Sequence, residues 1–139
     1  MRPDNQGIKE VAAWLCSAAR KNGIAVLTGA GVSSESGIPT FRDKLTGLWE
    51  GYDPAKLASP QGFVANPTLV WQWYDWRRGI VEAASPNPGH LALARLEQLS
   101  QHFTLITQNV DRLHHRAGSK NIIELHGNIL NYSCFSKRH

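Results

Sequence analysis

The sequence has few of the features that mark membrane or secreted proteins. No apolar run approaches the ~20 residues of a membrane span, and the N-terminus has neither an apolar segment nor a cleavage-type site. The two cysteines, Cys16 and Cys134, form neither a Cys-x-x-Cys pair nor a disulfide framework. We therefore expect a cytoplasmic protein without a membrane partner, in which Cys16 is a small core residue.

The excess of basic over acidic residues is also small. The chain carries 15 basic and 11 acidic residues, a net charge of +4, and its basic clusters are confined to Arg77–Arg78 and Lys137–His139. A scattered distribution favours a solvated surface over a nucleic-acid interface, so we expect no nucleic-acid partner. A length of 139 residues with 42% hydrophobic content fits one compact domain with a sizeable core.

What the sequence does contain is an alternation of strand and helix patterns. Helical spacing runs from about Ile8 to the stop at Asn22-Gly23, and a Gly- and Pro-rich stretch over 40–67 predicts loops with short helical turns at most. The predicted strands are Ile24–Thr28, Phe103–Thr107 and Ile122–Leu125, and further helices are predicted over Pro67–Glu82, His90–Leu99 and Val110–Ala117. This alternation predicts an α/β fold with a parallel sheet. In the His90 helix, the inward residues are expected to be Ala92, Leu96 and Leu99.

Polar or glycine-rich sequence follows each predicted strand. The segments are Gly29–Ser33, Thr107–Asp111 and His126. Because the carboxyl ends of parallel strands meet at one edge of the sheet, where such sheets bind ligands, we expect these segments to converge. The first segment fits a phosphate cradle or a tight strand–helix turn. The second fits contacts to ribose hydroxyls or a carboxamide, and equally well helix capping.

Three patterns carry titratable side chains. His126 fits a general base or a structural histidine, whereas His114 and His115 are expected at the surface of a helix. Tyr74 and Arg77 lie three residues apart and share a helix face. A phenol beside a guanidinium is suited to bind a carboxylate, although an ordinary amphipathic helix has the same pattern.

Together these segments resemble the sirtuin family, the NAD-dependent protein-lysine deacylases. The matching blocks are GAGVSSESGIPTFR at Gly29–Arg42, TQNVDRLHHRAG at Thr107–Gly118 and ELHGNI at Glu124–Ile129. Their order and spacing fit the family from about Val11 to Cys134. The resemblance implies an incomplete Rossmann-like parallel sheet, containing the N-terminal strands only, with a partly helical small-domain insert.

The resemblance also implies NAD as the cofactor and a role for each matching residue. Asn109 and His126 would be catalytic, with His126 as the general base. In the family mechanism the acyl-lysine oxygen attacks C1′ of the nicotinamide ribose and nicotinamide leaves. His126 would then help a ribose hydroxyl to attack the resulting alkylimidate, which gives free lysine and O-acyl-ADP-ribose. The residues expected at the cofactor are Gly29, Ala30, Gly31, Ser33, Ile38, Pro39, Phe41, Arg42, Gln108, Asn109, Asp111 and His126.

Within the family, the Tyr74-x-x-Arg77 pair resembles the subgroup that removes succinyl and malonyl groups. In that subgroup the pair binds the carboxylate of the acyl group. Ala58 falls where the subgroup keeps a small residue beside the acyl channel. The resemblance therefore implies acylated-lysine proteins or peptides as partners, with negatively charged acyl groups preferred and deacetylation as a second activity.

The sequence departs from the family near its C-terminus. The family's zinc module is held by two Cys-x-x-Cys pairs, but here Cys134 stands in the first position and Lys137 in that of its partner. A complete zinc site is not expected. By the resemblance, residues of about 8–43 and 101–127 form the nucleotide-binding part, about 44–100 a loop and helical insert, and 128–139 the start of a truncated zinc-module region.

Because the family's later strands are not encoded, we expect this chain alone to bind NAD weakly and to turn over little substrate. The strand expected at the centre of the family's sheet would have an unpaired edge and an uncovered face. Two other interpretations stay open at this point. The chain could be a non-catalytic fragment that binds NAD or ADP-ribose, or a truncated product without a role of its own.

Overall fold

The computed structural model describes residues 5–21, 23–40 and 50–136. Three parallel strands form one sheet in the order β1-β2-β3, with Thr28 opposite Thr107 and Thr107 opposite Glu124. The predicted α/β fold with a parallel sheet is therefore confirmed. The elements are α1 (Asn5–Lys21), β1 (Ile24–Thr28), α2 (Gly31–Ser34), α3 (Pro54–Leu57), α4 (Pro60–Ala65), α5 (Pro67–Ala83), α6 (Pro88–Leu99), β2 (Phe103–Thr107), α7 (Leu113–Arg116) and β3 (Ile122–Glu124).

The turn from α1 into β1 depends on Gly23. Its φ is +81°, and its N–H donates to the carbonyl of Ala18 at 2.9 Å. A Cβ at this position would lie 2.8 Å from the Cβ of His102. Glycine is required here both for the left-handed backbone and for the close approach, so the helix stop predicted from the sequence is confirmed.

Four helices between the first two strands begin in the same way. A short polar residue accepts a hydrogen bond from a backbone N–H of the first turn, and a proline follows at the first helical position. The cap–proline pairs are Asp53-Pro54, Ser59-Pro60, Asn66-Pro67 and Asn87-Pro88. The prediction of short helical turns before Pro67 is confirmed for residues 50–66.

Two apolar clusters pack α5 against its neighbours. Trp73 of α5 is fully buried and packs with Leu57 and Val70. A second cluster joins Ile38, Val81, Ala84, Leu113 and Ile129. It therefore connects the segment after α2 with α5, with α7 and with the chain beyond β3.

Expectations about three helices, α1, α6 and α7, are wrong. Cys16 is exposed, because α1 buries little beyond Ala19. In α6, Leu99 is 70% exposed and Ala92 is also exposed, whereas His90 and Ala94 are buried. The spacing of apolar residues in α6 was compatible with burial of either of two helix faces. The face that is buried is the one that carries His90, whose ring hydrogen-bonds to Ser33 and to the backbone of Asn87.

The third correction concerns the helix after β2. It begins at Leu113, not at Val110. Arg112 has a left-handed backbone with φ of 58°, which cannot belong to a right-handed helix, and the Asp111 carboxylate accepts the N–H of Leu113 at 2.9 Å. In the described part of the chain, no helix is long and apolar enough to cross a membrane.

Candidate functional site

A cavity of about 700 Å³ lies at the carboxyl ends of the strands. The segments after β1, β2 and β3 meet there with α5, so the convergence expected from the sequence is observed. Gly29 and Gly31 are not part of its lining, and Phe41 and Arg42 lie outside the described residues. The predicted site residues that line it are Ala30, Ser33, Ile38, Pro39, Ala58, Tyr74, Arg77, Gln108, Asn109, Asp111 and His126.

Ser33 is the hub of a buried hydrogen-bond network beside this cavity. Its side chain is 1% exposed, and its hydroxyl donates to Asp111 Oδ2 at 2.7 Å. The same oxygen accepts the Asn109 side-chain amide at 3.0 Å and lies 3.4 Å from His90 Nε2. The hydroxyl thereby uses one donor and two acceptor positions within the protein. Ser33 therefore orients Asn109 and Asp111.

His90 was not among the site residues predicted from the sequence, and its Nε2 contacts the Ser33 hydroxyl. It is fully buried, and its Nδ1 accepts the N–H of Asn87 at 3.3 Å, which leaves Nε2 as the donor toward Ser33. Burial lowers the pKa of His90, against an opposing effect of Asp111. Asn87 also donates to the carbonyl of Val32 at 2.7 Å, so the start of α6 is tied to α2.

The prediction of a surface position for His114 is wrong. The side chain is 2% exposed, and its ring lies 4.7 Å from that of His90, centroid to centroid. Burial, and next the neighbouring His90, lower the pKa of His114 to about 4. His115 is partly exposed, with its Nδ1 3.5 Å from a Glu124 carboxylate oxygen.

The burial of His90, unlike that of His114, had a local signal in the sequence. His90 is the third residue of a helix capped by Asn87, a position from which a side chain can hydrogen-bond to the backbone of the cap residue.

The far end of the cavity is formed by α5. Arg77 lies with its guanidinium carbon 5.0 Å from the centroid of the Trp73 ring, and Tyr74 meets that ring edge-on at 4.9 Å. Burial lowers the pKa of Arg77, an effect opposed by Tyr74, but a guanidinium stays charged in proteins. The pair therefore presents a fixed cation and a phenol to the cavity, and Ala58 lines the same space.

His126 reaches the cavity from the turn after β3. Its side chain is exposed, in contrast to Asn109 and Asp111, which are 7% and 4% exposed. The preceding Glu124 accepts a hydrogen bond from Asn128 Nδ2 at 3.1 Å, which closes the turn around His126. An accessible imidazole beside buried amide and carboxylate groups is suited to move a proton to or from a bound ligand.

The described residues fit the ribose and nicotinamide end of a dinucleotide. Gly29 and Gly31 lie beside the cavity lining, and a Cβ at either position would meet no atom within 4 Å. Asn109 and Asp111 supply amide and carboxylate groups for hydroxyls and a carboxamide, and Ile38 supplies an apolar wall.

Zinc does not fit in the same way. Cys134 is exposed and lies 3.2 Å, Sγ to Oγ, from Ser136. Over residues 5–21, 23–40 and 50–136, no three His, Cys, Asp or Glu side chains are grouped as metal ligands. A single cysteine does not make a tetrahedral site, so no role is derived for the metal.

The fold and the cavity define an α/β protein with a cavity at the carboxyl edge of a parallel sheet, the edge at which nucleotide-binding proteins of this class hold their ligands. The Sir2 family model matches residues 29–139, and the chain belongs to the Sir2 family.

Known proteins of this family resemble the chain closely. An NAD-dependent protein deacylase of Methylococcus capsulatus is 62% identical over 111 residues, which are 80% of this chain and 44% of that protein. A solved complex of a Sir2 homologue with NAD is 54% identical, with a TM-score of 0.75 over 84% of this chain and 45% of that one. A mutant Sir2 bound to a p53 peptide and NAD is 37% identical, with a TM-score of 0.68 over 86% and 45%. The chain spans about half the length of the curated relatives it matches.

Proposed function

We propose that this chain forms the part of an NAD-dependent protein-lysine deacylase that binds nicotinamide ribose and the acyl group. The observation that carries the proposal is that one cavity is lined by Asn109, Asp111 and His126 at one end and by Tyr74 and Arg77 at the other. Membership of the Sir2 family and the names of its relatives support the same activity.

Each group has a task that its surroundings support. Asn109, held by Ser33, orients the ribose, and Asp111 fixes Ser33. His126 accepts a proton from a ribose hydroxyl, because it is accessible and imidazole accepts protons near neutral pH. When bound, NAD supplies ADP-ribose as the acceptor of the acyl group and nicotinamide as the leaving group. Ile38 excludes water from one wall of the cavity.

The finer part of the proposal is a preference for succinyl- and malonyl-lysine, with acetyl-lysine as a second substrate. It is supported by the charge of Arg77 and by its partly buried position beside Tyr74, since a guanidinium in a low-dielectric wall binds a carboxylate bidentately. An acetyl group presents no charge to this pair. The protein partners would be acylated-lysine proteins or peptides.

We propose that the full activity requires a longer polypeptide than residues 1–139. The chain spans 44% of the Methylococcus capsulatus relative, so we propose that residues 1–139 alone bind NAD weakly and turn over little. The cytoplasmic location, the division into nucleotide-binding part and insert, and the individual residue roles stay predictions.

The activity is tested by grafting residues 29–139 into the Methylococcus capsulatus relative in place of its matching segment. We expect the graft to remove succinyl groups from a lysine peptide only when NAD is present. His126→Ala should lower kcat by about 10²–10⁴-fold and leave NAD binding within a few-fold. NAD binding without turnover, unaffected by His126→Ala, would instead support a non-catalytic NAD- or ADP-ribose-binding fragment.

The acyl preference is tested by Arg77→Met in the same graft. Loss of a charge-assisted contact predicts a fall in kcat/KM for succinyl-lysine of about 10–100-fold. The value for acetyl-lysine should change by no more than about threefold. Arg95→Met, at an exposed position of α6, is the matched control and should change neither. An equal loss on both substrates would refute the carboxylate-binding role.

A further inference from the structure

Three side chains connect the ends of β1 and β2 behind the cavity wall. Thr28 and Thr107, the last residues of the two strands, lie opposite each other in register. Thr28 Oγ1 donates to Thr107 Oγ1 at 2.9 Å, and Nε2 of His114 lies 3.0 Å from Thr28 Oγ1. Thr107 Oγ1 also accepts the backbone N–H of Asn109 at 3.1 Å. A continuous hydrogen-bonded path therefore leads from the buried ring of α7 to a residue of the cavity.

The direction of this path follows from counting protons. With Thr28 donating to Thr107, the Thr28 oxygen accepts from His114, whose Nε2 is then the protonated ring nitrogen. The reverse direction would put the hydrogen on Nδ1, where a buried N–H would have no acceptor among the described residues. Nδ1 of His114 carries no hydrogen in this tautomer. That atom is buried and has no hydrogen-bond partner among the described residues.

The surroundings keep the ring in this neutral form. A second proton would have to sit on Nδ1, in a site that water does not reach and beside the His90 ring. Burial and His90 lower the pKa of His114 to about 4, with His115 acting in the same direction and Asp111 against it. A neutral Nε2–H donor is the form that the path to Thr107 requires.

We propose that His114 is a positioning residue of the NAD site, which acts through Thr28 and Thr107 on the two strand ends. The role rests on the proposed function, because it assumes that NAD occupies the cavity. Thr28 immediately precedes the Gly29–Gly31 turn, and Thr107 holds the backbone of Asn109. The His114 ring thereby adds to the backbone pairing of the strand ends and helps to fix the Gly29–Gly31 turn relative to Asn109. His114 itself is not expected to touch NAD.

The test is NAD binding by the ¹⁵N-labelled chain, followed by chemical-shift changes at NAD concentrations up to the millimolar range. His114→Leu and Thr28→Val each remove one link and should weaken binding about five- to tenfold, the effect of one lost hydrogen bond. Thr28→Ser keeps the hydroxyl and should restore binding to within about twofold. The double variant should be no weaker than either single one, because both break the same path. His102→Gln, at the opposite end of β2, is the matched control.

The outcomes separate this role from a structural one and from the proposed function. If Thr28→Val and Thr28→Ser bind NAD equally, or the two losses add in the double variant, the positioning role is wrong even if NAD binds. If the unsubstituted chain binds no NAD in the millimolar range, the proposal that residues 1–139 bind NAD weakly fails and the positioning role with it, whereas the deacylase activity is decided separately by the graft. Thr28→Val is nearly isosteric, so it carries the test where His114→Leu does not fold.

Ring ¹⁵N shifts give a second readout that needs no ligand. His114 should be the Nε2–H tautomer above about pH 5, which is one unit above its pKa of about 4. An Nδ1–H tautomer, or titration near the ordinary histidine value of 6.5, would overturn the path.

Discussion

The cavity side and the outer face of this molecule differ in how far their large side chains are buried. On the cavity side, Trp73 and Leu113 are fully buried and Ser33 is 1% exposed. On the outer face, formed by α1 and β1, Trp14 and Leu27 are each 67% exposed. Within the described residues β1 pairs with β2 alone.

The difference shows where the stability of the chain resides. Buried apolar area contributes roughly 25 cal/mol per Å², so exposed side chains such as Trp14 and Leu27 contribute little to folding. The cavity side has in addition a polar network whose donors and acceptors satisfy one another around Ser33. The cavity and its polar network are therefore packed within the described residues, whereas among the same residues the outer face has an exposed apolar surface and an unpaired strand edge.

The sharpest test of this comparison replaces one tryptophan on each side. Trp73→Ala should lower the free energy of unfolding by about 3–5 kcal/mol, because it opens a cavity in a fully buried cluster. Trp14→Ala should change it by no more than about 0.5 kcal/mol. Urea unfolding measures both, with Trp73→Phe used where the alanine variant is unfolded. Similar losses for both tryptophans would contradict the comparison.

The second test is the pH dependence of the cavity side. The unfolded chain protonates His114 below its ordinary pKa of 6.5, while the folded chain does so only near 4. The unfolded state thus binds more protons in this window, so stability falls as the pH drops from about 6.5 to 4, by roughly 2–3 kcal/mol. Urea unfolding at several pH values checks this. His114→Leu should flatten the slope and His102→Gln should not. An unchanged slope in His114→Leu would place the effect elsewhere, with His90 the next candidate.

The smallest expected effect concerns strain on the cavity side. Arg112 adopts a left-handed backbone, with φ of 58°, that costs a residue with a Cβ about 1 kcal/mol or more. Arg112→Gly should raise the free energy of unfolding by about 0.5–1 kcal/mol. Arg95→Gly, at an exposed position in the helical backbone of α6, is the matched control and should lower the free energy of unfolding by about 1 kcal/mol. A loss of stability in both variants would show that Arg112 makes contacts worth more than the strain.

The strands and their ends could be predicted, because they are short apolar runs between clear turn residues. β1 and β2 have the predicted bounds, and β3 is one residue shorter than expected. The parallel-sheet pattern predicted that the strand-end segments converge, and the structure places Asn109, Asp111 and His126 at one cavity.

The buried histidines could not be predicted in this way. The run Leu113–Arg116 is polar and basic and is typical of a surface helix. Its burial depends on Thr28, which is 86 positions away in the sequence, and on His90 of α6. Conversely, the apolar spacing of α1 predicted that Cys16 would be in the core, but periodicity does not specify what covers a face.

The order of the elements, the start of α5 at Pro67 and the polar segments that end the strands follow from the sequence alone. These depend on neighbouring residues, through backbone conformation and local hydrogen bonds. The burial of His90 and His114 and the exposure of Trp14 and Leu27 follow instead from tertiary packing. Burial is a property of contacts between distant segments, and a polar ring is stable inside only where its hydrogen-bond partners arrive from other elements.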